Sequence, residues 1–459
     1  MNSVSMRKSL TGCIHVPGSK SHTIRACLLA ALAEGVSYIR NPLPSADCKS
    51  AAKCITELGA NVQRAADDSV WTITGAGKNI HLPSNVIDVG NSGSVLYFLA
   101  PIAATFEGWS VFTGDESIRT RPVKHLASAL EQLGAKTFIS RPDKDAPPLL
   151  IQGPIRAGKV VTDGRLSQYI SGIMMAASRM KGTTEIELTD PKEVPYLDMT
   201  KGWLESLGIH VDMSSDYKHI KVTGPYSISA MDRTIPSDWE AVAFPLVAAL
   251  LTDSQIVIEN IDGSGSQGDQ AIVEILQSIG GDIEWDKTNH RLIVRGGKNA
   301  TCGIGCKGRL STEKLPDGVL KVNCSGFPDA VPALCVTACF VEGTTIIEDI
   351  GVCRRKETDR IKVMKSELEK LGAVVEEGFD FIVIKGHSPF AADGSVNKNF
   401  CLHGSKVESY QDHRVAMSLA VMGLALETPV TVMDAECCAV SFPEFFEAMN
   451  GLGAGIVLE

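Results

Sequence analysis

The sequence contains no long uninterrupted apolar stretch. Although 44% of its 459 residues are hydrophobic, no run approaches the ~18 to 20 apolar residues that a transmembrane helix requires. Its first residues also lack the apolar segment of a secretory signal peptide. We therefore expect a soluble globular protein that resides in the cytoplasm and has no membrane partner.

The sequence also has no excess of positive charge. Its formal net charge is −10 at pH 7, which argues against broad binding to nucleic acid or to anionic membranes. A chain of this length is typical of about three ordinary domains or two large ones. If the substrate is an anion, its site must be a local cationic pocket in an otherwise acidic protein.

Cysteines are present but lack the spacing of a metal site. The close pairs without helical spacing are Cys302 with Cys306 and Cys437 with Cys438, among 13 cysteines in all. Neither pair has a second pair or a histidine at metal-binding distance along the chain, so we expect no metal site. Four other cysteines lie in apolar helix-like segments: Cys27, Cys54, Cys335 and Cys339. We expect them to be buried small hydrophobic residues of a protein in a reducing compartment.

What the sequence does contain is an internal repeat of six units. An apolar helix pattern followed by a strand pattern recurs in the segments 28–39, 99–112, 172–188, 244–261, 334–350 and 419–435. Each is followed by a second helix pattern that closes on a glycine, the residue expected just beyond a helix end: Gly59, Gly134, Gly208, Gly280, Gly372 and Gly453. The repeats are too long for a thin solenoid.

The two helices of each repeat differ in character. Residues 244–251 are almost wholly apolar and must be buried on all sides, whereas Met364, Leu368 and Leu371 form the apolar face of an amphipathic helix. Each repeat reads helix, strand, helix, strand and a further strand. We predict an α/β fold of two similar domains, each of three inside-out repeats with buried helices and outer mixed sheets.

The densest group of anion-binding residues opens the first apolar helix. Pro17 and Gly18 end a strand-like run, Ser19 or Ser21 can cap the helix, and we expect Lys20, Ser21 and Arg25 at its N-terminus. Free backbone N–H groups and the helix dipole at this position favour a phosphate or a carboxylate. An ordinary capped surface helix explains the pattern equally well.

Two later segments mix charges of both signs. Glu357 lies between Lys356 and Arg360, so cations could hold an anionic substrate while the carboxylate moves a proton. The alternative is a salt-bridged helix start. His413 and Arg414 open the sixth apolar helix, where they could form a second anion site and where His413 could titrate near neutral pH.

Other candidate residues lie where the chain enters a helix. Small residues there let the backbone approach a ligand closely, and polar side chains can contact it. These candidates are Asn91, Gly93, Arg121, Ser167, Gln168, Tyr196 and Asp329.

Taken together, these segments resemble the EPSP synthase family of enolpyruvyl transferases, and the resemblance covers nearly the whole chain. Its motifs appear in order as PGSKS with a later Arg (17–25), GNxG (90–93), TGDxSxRxRP (113–122), SQ (167–168), PY (195–196), QGD (267–269), RxKExDR (354–360), DHRxAM (412–417) and FP (442–443). The related transferase for UDP-N-acetylglucosamine fits less well. Lys20 is followed by Ser21 rather than asparagine, and no cysteine lies between Cys54 and Cys302.

The resemblance implies a fold, a reaction and roles for residues. The domains would be residues 20–235, and residues 1–19 with 236–459. The reaction would transfer the enolpyruvyl group of phosphoenolpyruvate to a hydroxyl of shikimate 3-phosphate in the shikimate pathway of aromatic amino acid biosynthesis. It would release phosphate and need no metal or organic cofactor. A monomer with small-molecule partners is implied.

The roles carry over position by position. Lys20, Arg121, Gln168, Arg360 and Arg414 would hold phosphoenolpyruvate, with Lys356 and His413 beside it. Glu357 would shuttle a proton, and Asp329 would take the proton of the acceptor hydroxyl. Ser21, Arg25, Ser167 and Tyr196 would line the acceptor.

The chain departs from the family pattern at four positions. Leu166 and Glu193 stand where the family has serines that hold the acceptor's phosphate, Tyr97 replaces an arginine, and Val440 replaces a lysine. These departures predict an altered acceptor pocket. Two alternatives remain: the same transfer to a different alcohol, and a non-catalytic clamp for an anionic metabolite.

Overall fold

The computed structural model describes residues 1–141 and 143–459, which form two compact units. The continuous unit is Gly18–Pro236, and the split unit combines Met1–Pro17 with Ser237–Glu459. Each unit is described by itself below.

The helices come in pairs along the chain. In the described residues the α-helices are α1 (Lys20–Leu32), α2 (Ala46–Glu57), α3 (Gly93–Ala103), α4 (Lys124–Gln132), α5 (Ser167–Ala177), α6 (Val194–Ser206), α7 (Trp239–Leu251), α8 (Ile272–Ser278), α9 (Val331–Cys339), α10 (Arg360–Lys370), α11 (His413–Gly423) and α12 (Phe445–Gly451).

Short strands lie between the helices. They are β1 (Ser3–Ser5), β2 (Thr11–His15), β3 (Glu34–Arg40), β4 (Asn61–Arg64), β5 (Val70–Ala76), β6 (Ile87–Asp88), β7 (Gly108–Thr113), β8 (Lys136–Ile139), β9 (Leu149–Gly153), β10 (Lys159–Thr162), β11 (Gly182–Leu188), β12 (Val211–Met213), β13 (His219–Gly224), β14 (Asp232–Thr234), β15 (Gln255–Glu259), β16 (Asp282–Asp286), β17 (Arg291–Arg295), β18 (Val319–Asn323), β19 (Gly343–Glu348), β20 (Val374–Glu377), β21 (Phe381–Gly386), β22 (Lys406–Glu408), β23 (Val430–Met433) and β24 (Val457–Leu458).

The strands form six sheets of one design. The orders are β14-β3-β5-β4, β6-β7-β9-β8 and β10-β11-β13-β12 in the continuous unit, and β2-β15-β17-β16, β18-β19-β21-β20 and β22-β23-β1-β24 in the split unit. In every sheet the first pair is parallel and the next two pairs are antiparallel. The six repeats predicted from the sequence are thereby confirmed.

Segments distant in sequence complete both units. β14 returns after the third repeat to pair in parallel with β3, so that Asp232 lies opposite Tyr38. β2 pairs in parallel with β15, so that Thr11 lies opposite Gln255, and β1 pairs antiparallel with β23. The chain therefore passes between the units twice, next to Pro17 and next to Pro236.

The first helix of every repeat is buried. Nearly all residues of α1, α3 and α5 are inaccessible in the continuous unit, as are those of α7, α9 and α11 in the split unit. The sheets alternate buried and exposed residues, and α10 buries only one face, which includes Met364 and Leu368. The α/β class with buried helices and outer mixed sheets is confirmed.

Glycine serves two purposes in this packing. The six glycines predicted to end the second helices all have left-handed backbone, with φ from 81° at Gly208 to 105° at Gly59. Gly172 serves a different purpose, because a Cβ atom there would lie 2.3 Å from the carbonyl oxygen of Tyr97. Helices α5 and α3 can therefore approach each other only without a side chain at this position.

The cysteines behave as the apolar pattern predicts. Cys27, Cys54, Cys335 and Cys339 are buried, and all thirteen thiols are free.

Within the described residues, no group of three or more metal-ligating side chains is arranged to hold an ion. None of the helices there is both long enough and apolar enough to cross a membrane.

Candidate active site

The split unit places Arg360 at the centre of a charged network. Arg360 is the first residue of α10 and is fully buried, so its guanidinium needs compensating charge. It donates 2.8 Å from Nε to Asp412 and 2.6 Å from Nη2 to Glu357, and its Nη1 donates to Asp329. Burial opposes its charge, but these three carboxylates outweigh that effect and raise the pKa of Arg360 well above its usual range.

Asp412 connects this network to α11. It is 0% exposed, and its Oδ1 accepts 2.9 Å from the backbone N–H of Arg414 at the first turn of that helix. Its Oδ2 also accepts from the hydroxyl of Thr358 at 3.1 Å. A single carboxylate therefore caps α11 and orients the guanidinium of Arg360.

Asp329 is shared by three cations. It lies in a 3₁₀ turn just before α9. Its Oδ2 is 3.5 Å from Nζ of Lys356, and its Oδ1 is 3.4 Å from Nε of Arg414 and also accepts from Arg360. Arg414 is paired a second time with Glu240 in the first turn of α7. The structure thus brings together five of the residues that the sequence predicts for the site: Asp329, Lys356, Glu357, Arg360 and Arg414.

The carboxylates of this network differ in accessibility. The side chains of Glu357 and Asp329 are 16% and 14% exposed, whereas Asp412 is 0% and Glu240 is 6% exposed. Because a proton donor or acceptor must reach a substrate, Glu357 and Asp329 are the candidates for proton transfer. Asp412 and Glu240 are placed to hold the arginines.

His413 and Arg354 take different places around the network. His413 is the first residue of α11, as predicted, and is buried. Arg354 instead pairs with Asp359 at 2.7 Å and with Glu377 at 3.0 Å. Both arginines are therefore salt-bridged near the start of α10, and of the two it is Arg360 that pairs with the candidate residues Glu357 and Asp329.

In the continuous unit, Lys20 and Ser21 open α1 as predicted. Ser19 occupies the N-cap position, but its side chain makes no capping hydrogen bond, which differs from the sequence expectation. Its carbonyl instead accepts from the hydroxyl of Thr23 at 2.8 Å. Lys20 is largely buried, and its Nζ lies 3.8 Å from Asp47 in the first turn of α2.

Arg25 joins α1 to α5 and α6. Its guanidinium is buried and donates to the hydroxyl of Thr200 at 2.8 Å, to the carbonyl of Tyr196 at 3.1 Å and to the hydroxyl of Ser171 at 3.4 Å. It also lies 4.7 Å from the ring centroid of Phe98. Burial lowers the pKa of Arg25, and Tyr196 partly opposes that shift.

The starts of α3 and α5 lie side by side. Gly93 begins α3 and Ser167 begins α5, in agreement with the sequence prediction. Gln168 donates 3.3 Å to the hydroxyl of Ser94, which links the two helix starts. Asn91, in the turn before α3, donates 2.6 Å to Asp115. Four candidate residues and their backbone N–H groups therefore share one region of this unit.

Glu193 is the N-cap residue of α6, and its carboxylate lies at the N-terminus of α5. It is 2% exposed, with left-handed backbone at φ 51°. Its Oε2 accepts from the backbone N–H of Ser167 at 3.1 Å and from the Ser167 hydroxyl at 3.0 Å. Leu166 at the N-cap position cannot accept these bonds, so Glu193 supplies the missing cap. The Glu193 side chain therefore faces the interior of the unit and not solvent.

The other two departures, Tyr97 and Val440, differ in their surroundings. The hydroxyl of Tyr97 donates 2.8 Å to the carbonyl of Pro122, directly after Arg121. Arg121 is itself buried at the end of a 3₁₀ turn. Val440 ends a further 3₁₀ helix in the split unit and is partly exposed.

Sequence reasoning missed several partners of these residues. Asp47, Asp115, Glu240 and Asp412 each hold a candidate cation or amide. A signal existed for Asp412, since Asp directly before an apolar helix is a capping residue. The Glu240 to Arg414 pair spans 174 residues, and no local pattern in the sequence indicates it.

Comparisons with known proteins agree over the full length. The model of the family described as EPSP synthase (3-phosphoshikimate 1-carboxyvinyltransferase) matches residues 4–449. The 3-phosphoshikimate 1-carboxyvinyltransferase of Ruminiclostridium cellulolyticum is 36% identical over 452 residues, which cover 98% of both chains. The enzyme of that name from Acetivibrio thermocellus is 37% identical over 456 residues, or 99% of both chains.

The fold leads to the same group of proteins. The structure of EPSP synthase from Acinetobacter baumannii superposes with a TM-score of 0.78 at 26% identity and covers 99% of both chains. The sequence motifs, the family match and the shared fold cover the same residues from end to end. The chain belongs to the EPSP synthase family, whose members are enzymes that act on small-molecule substrates.

Proposed function

We propose that this chain transfers the enolpyruvyl group of phosphoenolpyruvate to a hydroxyl of shikimate 3-phosphate and releases phosphate. Family membership supports the reaction. The observation that carries the assignment of residues is the network around Arg360, in which Glu357 and Asp329 share one guanidinium beside Lys356.

The reaction needs two proton transfers of opposite direction. An acid must protonate the methylene carbon of phosphoenolpyruvate, and a base must take the proton of the acceptor hydroxyl as its oxygen bonds to the adjacent carbon. Loss of a proton from the new methyl group and departure of phosphate then restore the double bond. Two partly exposed carboxylates among cations supply such groups.

We assign the first transfer to Glu357 and the second to Asp329. Both already accept hydrogen bonds from Arg360, so the guanidinium stabilises whichever of them carries the negative charge. Lys356, 3.5 Å from Asp329, can compensate the same charge. An arriving anionic substrate can take the place of these carboxylates as the partner of Arg360 and Lys356. The two carboxylates are then free to move protons.

The remaining roles follow the matched motifs. Phosphoenolpyruvate would be bound by Lys20, Arg121 and Gln168 of the continuous unit and by Arg360 and Arg414 of the split unit. Lys356 and His413 would lie beside the bound phosphoenolpyruvate. Ser21, Arg25, Ser167 and Tyr196 would line the acceptor, and Asn91 and Gly93 would be further substrate-binding residues. The helix-start positions of Lys20, Gly93 and Ser167 support this assignment, because backbone N–H groups there favour anions.

The proposal extends to the working form of the protein. Residues 20–235, and residues 1–19 with 236–459, would be its two enolpyruvyl transferase domains. It would act as a monomer of 49.0 kDa. It would have no nucleic-acid partner, which is supported by the net charge of −10. The free thiols support a reducing compartment such as the cytoplasm. Sedimentation analysis measures the mass directly.

Phosphate release tests the proposed reaction. The purified chain is incubated with phosphoenolpyruvate alone, with added shikimate 3-phosphate, and with added unphosphorylated shikimate. We expect rapid release only with shikimate 3-phosphate, together with an enolpyruvyl ether product visible by NMR. Absence of release that depends on shikimate 3-phosphate would contradict the proposal.

A further inference from the structure

The continuous unit contains a cavity far along the chain from its candidate substrate residues. The cavity has a volume of about 440 Å³ and lies beside the C-terminal ends of α3 and α5. Its lining residues are Thr105, Ile155, Arg156, Ala157, Arg179, Met180 and Lys181. Three of the seven are cations, and none is acidic.

Arg179 forms the inner part of this cationic lining. It is half-buried, its Nε donates 3.4 Å to the hydroxyl of Thr105, and its guanidinium lies 4.9 Å from the ring centroid of Phe106. Burial lowers the pKa of Arg179, which means that the site penalises its positive charge. Arg156 and Lys181 are exposed at the cavity.

None of these cations forms an ion pair in the part of the chain that the structure describes. Other basic residues of the neighbouring sheet do pair: Lys159 lies 2.7 Å from Glu187, and Lys221 lies 2.9 Å from Glu185. Three cations without a carboxylate thus line a single cavity, in a chain whose net charge is −10. A compact anion would balance them.

Helix C-termini also attract cations, so that explanation must be considered. The backbone carbonyls at these helix ends are already bonded to backbone N–H groups. Ala104 accepts from Ile155 at 2.8 Å, and Ser178 accepts from Tyr226 at 2.7 Å. The side chain of Arg179 is bonded to a hydroxyl instead. Capping therefore does not explain the cluster.

We propose that this cavity binds a compact multivalent anion, a polyphosphate or a polycarboxylate. The site is distinct from the residues of the proposed reaction, since Ser167 and Gln168 lie at the other end of α5. That helix has 11 residues, which corresponds to about 16 Å at 1.5 Å per residue. The inference does not depend on the proposed function.

Calorimetric titration with pyrophosphate, and separately with citrate, tests the site. The test variant is Arg156→Gln with Lys181→Gln, because both side chains are exposed and their loss should leave the fold intact. The control is Lys136→Gln with Lys218→Gln, two exposed lysines of the same unit outside the cavity lining. Both double variants change the net charge equally, so a general charge effect cancels.

We expect the parent and the control to bind one more equivalent of anion than the test variant, or to bind it at least tenfold more tightly. A difference with pyrophosphate alone identifies phosphate chemistry, and a difference with citrate alone identifies carboxylate chemistry. Equal isotherms for all three proteins with both anions would overturn the proposal. Circular dichroism of each variant verifies that it is folded.

Discussion

Replacement of Glu193 should change the affinity for the acceptor more than it changes the fold. The Glu193 carboxylate accepts two hydrogen bonds from Ser167 at the N-terminus of α5. By family resemblance, Ser167 would line the acceptor, and Glu193 stands where the family has a serine that holds the acceptor's phosphate. A carboxylate about 4 Å from a phosphate oxygen costs roughly 4 kcal/mol per charge pair at an effective dielectric constant near 20.

Two substitutions separate charge from hydrogen bonding. Glu193→Gln keeps an oxygen that can accept from Ser167 but removes the charge, so stability should change little. Glu193→Ser also removes the acceptor, which should cost about 1.5–3 kcal/mol of unfolding free energy. Both variants should bind shikimate 3-phosphate at least about a hundredfold more tightly than the parent, since each tenfold step is about 1.4 kcal/mol.

Calorimetry with shikimate 3-phosphate measures this effect. Glu205→Gln is the matched control, because it removes one negative charge from the exposed side of the same helix, α6. Its affinity should equal that of the parent. Micromolar binding by the parent that neither Glu193 substitution improves would refute the reasoning, since the carboxylate would then not oppose the phosphate.

Three further predictions concern the fold. Asp412→Asn should keep the cap of α11, because an amide oxygen can still accept from the Arg414 N–H group. It should lower the free energy of unfolding, measured by urea denaturation, by about 1.5–3 kcal/mol, because it weakens the charge-assisted hydrogen bonds to Arg360. Gly172→Ala should cost about 1–3 kcal/mol through overpacking against α3, whereas Gly202→Ala, with open space around it, should be neutral or stabilising by up to about 1 kcal/mol. Burial raises the pKa of the Cys27, Cys54 and Cys339 thiols to about 12, so an alkylating reagent at neutral pH should not label them until the protein unfolds. The exposed Cys13, Cys302 and Cys401 should be labelled in the folded protein, and mass spectrometry distinguishes the two groups.

The repetitive part of the fold was predictable because its signals are local. Wholly apolar segments can only be buried helices, and glycine at a fixed distance marks the end of the next helix. The strands that complete the sheets were not predictable in this way. β14 pairs with β3 across about two hundred residues, and its three residues are all exposed, so no hydrophobic pattern indicates the pairing.

The candidate site shows the same limit. Lys20, Gly93, Ser167 and Arg414 open or nearly open helices, as their local sequence predicts. Asp47, Glu240 and Asp412, which also hold cations, were missed, since each lies on a different element from its partner. Glu193 was identified only as a departure from the family. It is buried and has a left-handed backbone, a conformation that is unusual for glutamate and that the local sequence does not indicate.

Glu357→Gln provides the most direct test of the central claim, that carboxylates of the Arg360 network carry the proton transfers. The amide keeps the size of the side chain and can still accept from Arg360, but it cannot donate or accept the reacting proton. Steady-state phosphate release should fall by roughly 10²-fold or more, while the dissociation constant for phosphoenolpyruvate changes little. Glu369→Gln, at an exposed position on α10, which Arg360 opens, should retain parental turnover. Full turnover in Glu357→Gln would contradict the account and move the proton transfer to another residue.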